Sequence, residues 1–364
     1  MKPTIIFILN EVTLPRCHKR IEEFIANGYS VKVYGFSRNA FDISPDYSYT
    51  VTRIGKVSES SYSKRLKVLF AGCKQVIKQH SHKSNLFFLF GLDVAIVASF
   101  FLHNRPYIYE ESDLAHTYVG NAHIRQVLEW IDKRVIKKSL LTIFTSEGFP
   151  EYHYGSARPI NSVLIPNRLH TKVLNLSKVE KKRLDMQHLS IGFVGVLRFE
   201  SVFNFAKRIG ERYPQHTFHF FGTYHESEKH MVDEVKAYNN IRLHGVFTSP
   251  DDLPNIYAKI DMVVSTYDVK YENVRWAEPN KLYEALFFHT PIIVSKHTFL
   301  ATKVNRLGIG YAVDAMSDSS IDQFLTSLTA ENLQQKVEAT YRVPSVDCVN
   351  SNKVFFDKLA ILTQ

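Results

Sequence analysis

Apolar residues fall in short runs along this chain, and the stretches between the runs repeat apolar positions every three or four residues. Residues 4–9 (TIIFIL), 30–36 (SVKVYGF), 85–91 (NLFFLFG), 106–111 (PYIYEE) and 140–146 (LLTIFTS) have the length and the β-branched or aromatic content of buried strands. Residues 18–28, 92–104 and 124–139 carry helical spacing, and Gly28 suits the end of the first helix. After SVLIPN the pattern breaks. Residues 170–188 are polar, charged and poor in aromatics, which is the signature of a linker. Strand–helix alternation then restarts at LSIGFVGVL and runs through residues 201–214, 216–223, 230–240, 241–247, 251–260 and 261–267. Such alternation builds parallel sheets with helices on both faces. The predicted class is therefore α/β, with two Rossmann-like parallel-sheet domains facing a cleft. The first spans 1–169 and the second 189–349, joined by the 170–188 linker, with a helix in 350–364 packing back on the first. Ligand sites are expected at the carboxyl ends of the strands.

One element departs from simple amphipathicity. In AEPNKLYEALFFHTPIIVS (277–295), Glu278, Asn280, Lys281 and Glu284 crowd one end of a segment that then turns apolar. Pro279 suits the first helical position, because it lacks an N–H that a helix start leaves orphaned. Asn280, Lys281 and Glu284 share a face by their i+3 and i+4 spacing. A helix start attracts anions, so a cation, an amide and a carboxylate there suit a nucleotide: positive charge for phosphate, carboxylate for ribose. The plain alternative is a capped, solvated helix end with a Lys–Glu pair.

Three further strand ends gather polar or glycine residues. GFVGVLR brings Gly195 and then Arg198, a bidentate phosphate ligand by chemistry. FHFFGT ends at Gly222 and Thr223, and VVSTYD ends at Tyr267 and Asp268. In one parallel sheet these ends share an edge with the helix start, so Gly195, Arg198, Gly222, Thr223, Tyr267, Asn280, Lys281, Leu282 and Glu284 are the expected nucleotide site. The third glycine of a dinucleotide fingerprint is missing.

The 364 residues leave room for two domains of ordinary size. No apolar run reaches the ~18 residues of a membrane span. The N-terminus has no small-residue cleavage site, so residues 4–10 read as a strand rather than a signal peptide. Three widely spaced cysteines, Cys17, Cys73 and Cys348, argue for a reducing compartment and against a disulfide framework. Charge is lopsided. Residues 1–170 hold 22 Lys and Arg against 14 Asp and Glu, an excess of 8 within the formal +9; the remainder holds 23 against 22. One domain therefore meets something anionic. The charge lies on two amphipathic basic helices, 61–83 and 123–139, of the kind that lie on anionic membranes; the alternative is that their apolar faces pack on the sheet. No nucleic-acid motif is present. None of the histidine pairs has the helical spacing of a zinc site, so no metal is expected.

These segments, in this order and spacing, resemble GT-B fold glycosyltransferases, near family four and the capsule or exopolysaccharide enzymes around it. The resemblance runs over PRCHKRIEEFIANGYSVKVYG, FGLDVAIVASFFLHNRPYIYEESDL, TIFTSEGFPEYHYG, VLIPN, IGFVGVLR, IRLHGVF with LPNIYAKIDMVVSTYD, and EPNKLYEALFFHTPIIVS. It implies that Glu284 holds the donor ribose and Arg198 the donor phosphates. It implies a UDP- or GDP-linked sugar donor and no protein-bound metal. Two positions depart. Where many members place a glutamate for the transferred sugar stands Trp276, with Glu278 two residues off, and where many place a phosphate lysine stands Asn204. Lys281 is the candidate for the missing charge. Glu110, Asp113 and Glu278 are the candidate catalytic carboxylates. By strand alternation at most one of Glu110 and Glu111 points into a cleft. Asn10, Glu11 and Arg16, after the first strand, are the candidate acceptor-side residues. If the enzyme retains configuration, the leaving phosphate takes the acceptor proton, as the resemblance implies.

The expected activity is transfer of a hexose from a nucleotide sugar to a saccharide or a lipid-linked saccharide in cell-surface polysaccharide synthesis. The site would be cytoplasmic, peripheral on the inner face of the membrane. A nucleotide-sugar epimerase of similar fold and a non-catalytic partner subunit remain the alternatives.

Overall fold

The computed structural model describes residues 2–38, 47–57, 62–155, 157–177 and 184–363. By internal packing the chain divides into two units, Met1–Pro166 with Asn352–Gln364, and Asn167–Ser351.

The first unit is built on seven parallel strands: β1 Thr4–Leu9, β2 Val31–Ser37, β3 Val51–Lys56, β4 Asn85–Phe90, β5 Tyr107–Glu111, β6 Leu141–Phe144 and β7 Ser162–Leu164. Their spatial order is β3-β2-β1-β4-β5-β6-β7, so the winding reverses between β1 and β4. Side chains of β1 and β4 alternate between two buried faces. Ile5, Phe7, Leu9, Phe88 and Phe90 face a core shared with Cys17, Ile21 and Phe24 of helix Pro15–Ala26. These three recur at i, i+4 and i+7, the stripe a helix needs to lie on a sheet. Helix Lys353–Leu362 closes the same core: Phe355 and Phe356 meet Phe24 edge-on at 5.5 and 5.1 Å. Helices Tyr62–Gln79, Leu92–Leu102 and Ala122–Lys138 pack side by side in chain order.

The second unit is a six-stranded parallel sheet: β8 Ser190–Val194, β9 Thr217–Phe221, β10 Ile241–Gly245, β11 Met262–Ser265, β12 Ile292–Ser295 and β13 Gly310–Val313, ordered β10-β9-β8-β11-β12-β13. Here the winding reverses between β8 and β11. Two apolar clusters cover the two faces, one on helix Glu200–Arg212 and one on helix Asn280–Phe287.

The linker expected at 170–188 starts within the second unit. Residues 167–177 belong to the second unit, where Val173 is buried in the core and Leu169 bridges to Val349. Its polar composition hid one anchoring valine. Residues 178–183 lie outside the described residues. All three cysteines are buried free thiols.

Candidate functional site

In open parallel sheets the crevice outside the carboxyl ends of the strands opens where the winding reverses. In the second unit that point lies at the ends of β8 and β11. Gly195 leaves β8 at φ +136° and Gly222 leaves β9 at φ +140°, conformations that L side chains rarely adopt. The two backbones are in contact: a Cβ on Gly222 would fall 1.9 Å from the Gly195 carbonyl oxygen. The Gly195 N–H donates to Phe221 O at 2.8 Å, and the Leu197 N–H to Thr223 O at 2.8 Å. Thr223 thus serves through its backbone. These bonds hold the glycine loop flat against β9.

Lys281 lies over this loop. It comes from the first turn of helix Asn280–Phe287, and its Nζ is 3.0 Å from where a Cβ on Gly195 would be. The ammonium also stands 4.3 Å from the centre of the Phe193 ring and donates to the Tyr267 hydroxyl at 3.3 Å. Among the described residues it has no ion-pair partner. A cation over a glycine floor at a strand-end crevice is a site for an anion. One turn on, Glu284 is buried, and its Oε2 accepts from the Tyr257 hydroxyl at 2.7 Å. Burial pushes the carboxyl up from its ordinary value, opposed by Lys281 and by the Tyr257 hydrogen bond. Pro279 is the N-cap rather than the first helical residue. Asn280 is exposed at the helix start. Leu282 turns its side chain into the core, and its N–H closes a turn to Pro279 O. That N–H is therefore engaged within the protein.

Arg198 stands apart from Lys281. Its guanidinium lies 4.8 Å over the Phe199 ring, Phe199 meets Tyr267 edge-on at 4.6 Å, and Tyr267 holds Lys281. The two cations are connected through an aromatic pair, each on its own ring. Arg198 lines a cavity of about 570 Å³ with Asn204, Lys207, His230, Asp268 and Lys270 among others. Lys207 pairs with Glu234 at 2.5 Å and Lys270 with Glu200 at 3.2 Å. Asp268 accepts from the Ser201 and Glu200 N–H groups at 2.9 and 3.3 Å. The start of helix Glu200–Arg212 is thus already held by a carboxylate of the chain. Arg198 has no ion-pair partner among the described residues. Asp268 and Tyr257, absent from the expected site, are its internal supports.

The expected catalytic carboxylates are engaged elsewhere. Glu278 is buried, accepting from Lys303 Nζ at 3.0 Å and from the Tyr283 hydroxyl at 2.8 Å. Glu110 is buried in the first unit and accepts from Arg20 Nε at 2.9 Å, while Arg20 Nη1 reaches Glu23 at 2.7 Å. Glu111 is buried as well, so neither glutamate of the pair is open to solvent. Of the three candidates only Asp113 keeps substantial exposure, in an ion pair with Arg16 at 3.1 Å. Arg16 and Arg20, one turn apart on helix Pro15–Ala26, bind the end of β5 and the loop after it.

The acceptor-side residues surround the reversal of the first sheet. Asn10 follows β1, and a Cβ on Gly91, which follows β4 at φ +80°, would meet Asn10 Nδ2 at 2.9 Å. Asn10 Oδ1 and Arg16 Nε are buried without a hydrogen-bond partner. Glu11 accepts from Thr13 Oγ1 at 2.9 Å.

No protein-family model matches the chain, and no curated protein is similar to it in sequence. Solved structures are similar over nearly the whole length. Sucrose-phosphate synthase from Thermosynechococcus elongatus is 14% identical, with a TM-score of 0.70 over 99% of this chain and 98% of that one. HepE (Alr3699) of Anabaena, solved with UDP and glucose, is 15% identical, with a TM-score of 0.66 over 98% and 99%. A glycosyltransferase from Rickettsia africae is 11% identical, with a TM-score of 0.65 over 100% and 98%. The chain has the GT-B fold. At such identities the likeness is one of backbone. Within this GT-B chain the residues at each strand end carry their own evidence, which is the geometry above.

Proposed function

We propose that this chain is a glycosyltransferase that binds a nucleotide-sugar donor at the β8/β11 edge of its second unit. The observation that carries this reading is Lys281 Nζ over the Gly195 floor with Glu284 one turn behind it. The ammonium neutralises the diphosphate. The glycine floor lets the phosphate approach the backbone, and Glu284, held by Tyr257, accepts from ribose hydroxyls. Arg198 supplies a second positive group. A UDP-linked hexose is the proposed donor, in line with the UDP-glucose bound by HepE, a chain of the same fold.

The proposed reaction retains configuration. Glu110 and Glu278 are locked in buried ion pairs and Asp113 holds Arg16, so the leaving diphosphate is the base. The acceptor oxygen bonds to the anomeric carbon as the bond to phosphate breaks, and the hydroxyl proton passes to a phosphate oxygen. Charge on that leaving group is what Lys281 and Arg198 stabilise. No protein-bound metal has a part in this scheme.

The proposed acceptor is a saccharide, free or on a lipid carrier, in cell-surface polysaccharide synthesis, with Asn10, Glu11 and Arg16 on its side. Membrane docking is supported by the outer faces of the basic helices and of helix Leu92–Leu102, which packs against both. Phe100, Ile124, Val127 and Trp130 are 62%, 53%, 56% and 62% exposed, and Arg134 lies 5.7 Å from the Trp130 ring. Phe70 packs 5.8 Å from Phe100, which joins helix Tyr62–Gln79, with exposed Lys64, Lys67, Lys74 and Lys78, to this surface. No helix among the described residues is long and apolar enough to cross a membrane. Apolar side chains among lysines fit an anionic lipid surface. The test of the activity is calorimetric titration of UDP, GDP and their sugars into wild type, Lys281→Ala and Glu284→Ala. Tight binding of one diphosphate series, lost in both variants, is expected. Unchanged affinity in both would overturn the assignment.

A further inference from the structure

A group of ionisable side chains that the sugar-transfer reading does not use lies inside the first unit. Glu111 ends β5, Asp132 lies on helix Ala122–Lys138 and His153 on helix Gly148–Tyr154; all three side chains are shut off from solvent. Each offers a ligand atom, and these atoms lie within 4.8 Å of one another. Glu111 Oε1 is 2.8 Å from His153 Nε2, while Glu111 Oε2 and His153 Nδ1 are buried with no hydrogen-bond partner. Among the described residues no lysine or arginine pairs with either carboxylate. Two carboxyl groups cannot both be ionised in a dry interior without a compensating positive charge. Either a proton or a cation must supply it.

We propose that Glu111, Asp132 and His153 hold one divalent transition-metal ion, of the Zn²⁺ or Mn²⁺ kind, which ties β5 to the two helices that follow it. The donor set is two carboxylates and one imidazole, and the imidazole favours these ions over Mg²⁺ or Ca²⁺. The surroundings resemble an outer ligand shell. The Tyr109 hydroxyl donates to Asp132 Oδ1 at 3.1 Å, and His116 Nδ1 lies 3.3 Å from Asp132 Oδ2, with its other nitrogen 3.4 Å from the Tyr152 hydroxyl. Such partners fix the orientation of a ligating carboxylate. Metal–ligand bonds of ~2.1 Å place ligand atoms about 3.4 Å apart, so Glu111 Oε1 and His153 Nε2, now 2.8 Å apart, must open slightly while the wider separations, up to 4.8 Å, close. Because the three ligands all belong to the first unit and the nucleotide residues to the second, its role is structural and separate from the donor reading.

The experiment is elemental analysis of the full-length chain purified without nickel resin or chelator. Thermal unfolding follows, before and after chelation and with Zn²⁺ or Mn²⁺ returned. About one ion per chain is expected, with Tm falling on chelation and recovering on return of the ion. Glu111→Gln keeps the shape and removes a ligand charge, so it should lose the ion and the response to chelator. His153→Gln serves the same reading if the first variant does not fold. A metal-free chain whose Tm ignores both ions, with Glu111→Gln as stable as wild type, would show that the carboxyl pair holds a proton instead. Retention of the ion by both variants would place it elsewhere and overturn the proposal.

Discussion

Lys281 Nζ occupies the space directly over Gly195, 3.0 Å from the point where a side chain there would begin. Glycine is therefore required twice, for its φ of +136° and for the room it leaves the ammonium. Gly195→Ala forces a strained backbone, at about 1–3 kcal/mol, and pushes the lysine off the floor. The expected outcome is at least a tenfold loss of affinity for a nucleoside diphosphate and a much smaller loss for the bare nucleoside. Equal losses in calorimetric titration would show that the lysine does not meet phosphate.

Glu284 carries a pH signature. Burial raises its folded-state pKa above the ordinary carboxylate value, so within that window the folded chain holds a proton that the unfolded chain has lost. Its contribution to stability is then fullest below the ordinary value and falls as pH rises through the window. Ribose binding runs the other way, since the ionised carboxylate is the better acceptor. Donor affinity should rise with pH across this window in the wild type and stay flat in Glu284→Gln. Glu284→Ala should lower donor affinity by about 1.5–3 kcal/mol, the range for hydrogen bonds to charged groups. A wild-type profile as flat as that of the Gln variant would sink the ribose role.

Glu110 separates a structural from a catalytic carboxylate. Its partner Arg20 is buried, and breaking such a pair costs about 3 kcal/mol or more, because a charge is left uncompensated. Glu110→Gln should lower the stability of the first unit while turnover per folded molecule changes little. A variant as stable as wild type but inactive would make Glu110 a catalytic group after all.

The outer face formed by the basic helices and helix Leu92–Leu102 can be tested by charge and by apolar contact independently. Reversal of Lys133, Arg134, Lys137 and Lys138 to Glu should release the protein from vesicles rich in anionic lipid, as should raised salt. Phe100→Ser with Trp130→Ser should weaken the same binding without altering its salt dependence. Turnover of a short soluble acceptor should survive both changes. Vesicle binding unchanged in both variants would show that this face serves only water.

Phe24 packs against both Phe355 and Phe356, so the last helix is part of the first unit's core. Phe355→Ala should destabilise that unit by about 3–5 kcal/mol in denaturant titration, the range for loss of a buried aromatic side chain. A loss under about 1 kcal/mol, small for a buried aromatic, would show that the helix is a loose appendage.

Much of the fold is legible from local pattern. Residues 4–9 are a strand because six apolar or β-branched residues in a row can only be buried on both faces, and the helix of 280–287 follows from its polar start and apolar body. Lys281 and Glu284 could be paired on one face for the same reason, since helical spacing is local. What each ionisable side chain does was decided only by the tertiary structure. Glu110 and Arg20 lie 90 positions apart, Glu278 and Lys303 lie 25 apart, and Asp268 caps a helix 67 positions before it. The sequence shows these residues as charges near strand ends, where catalysis and ion pairing look alike. Parallel crossovers bring distant strand ends and helix starts to one edge, and a carboxylate that meets a buried counter-charge there becomes structural. Whether it meets one depends on strand order and register, which no local pattern encodes.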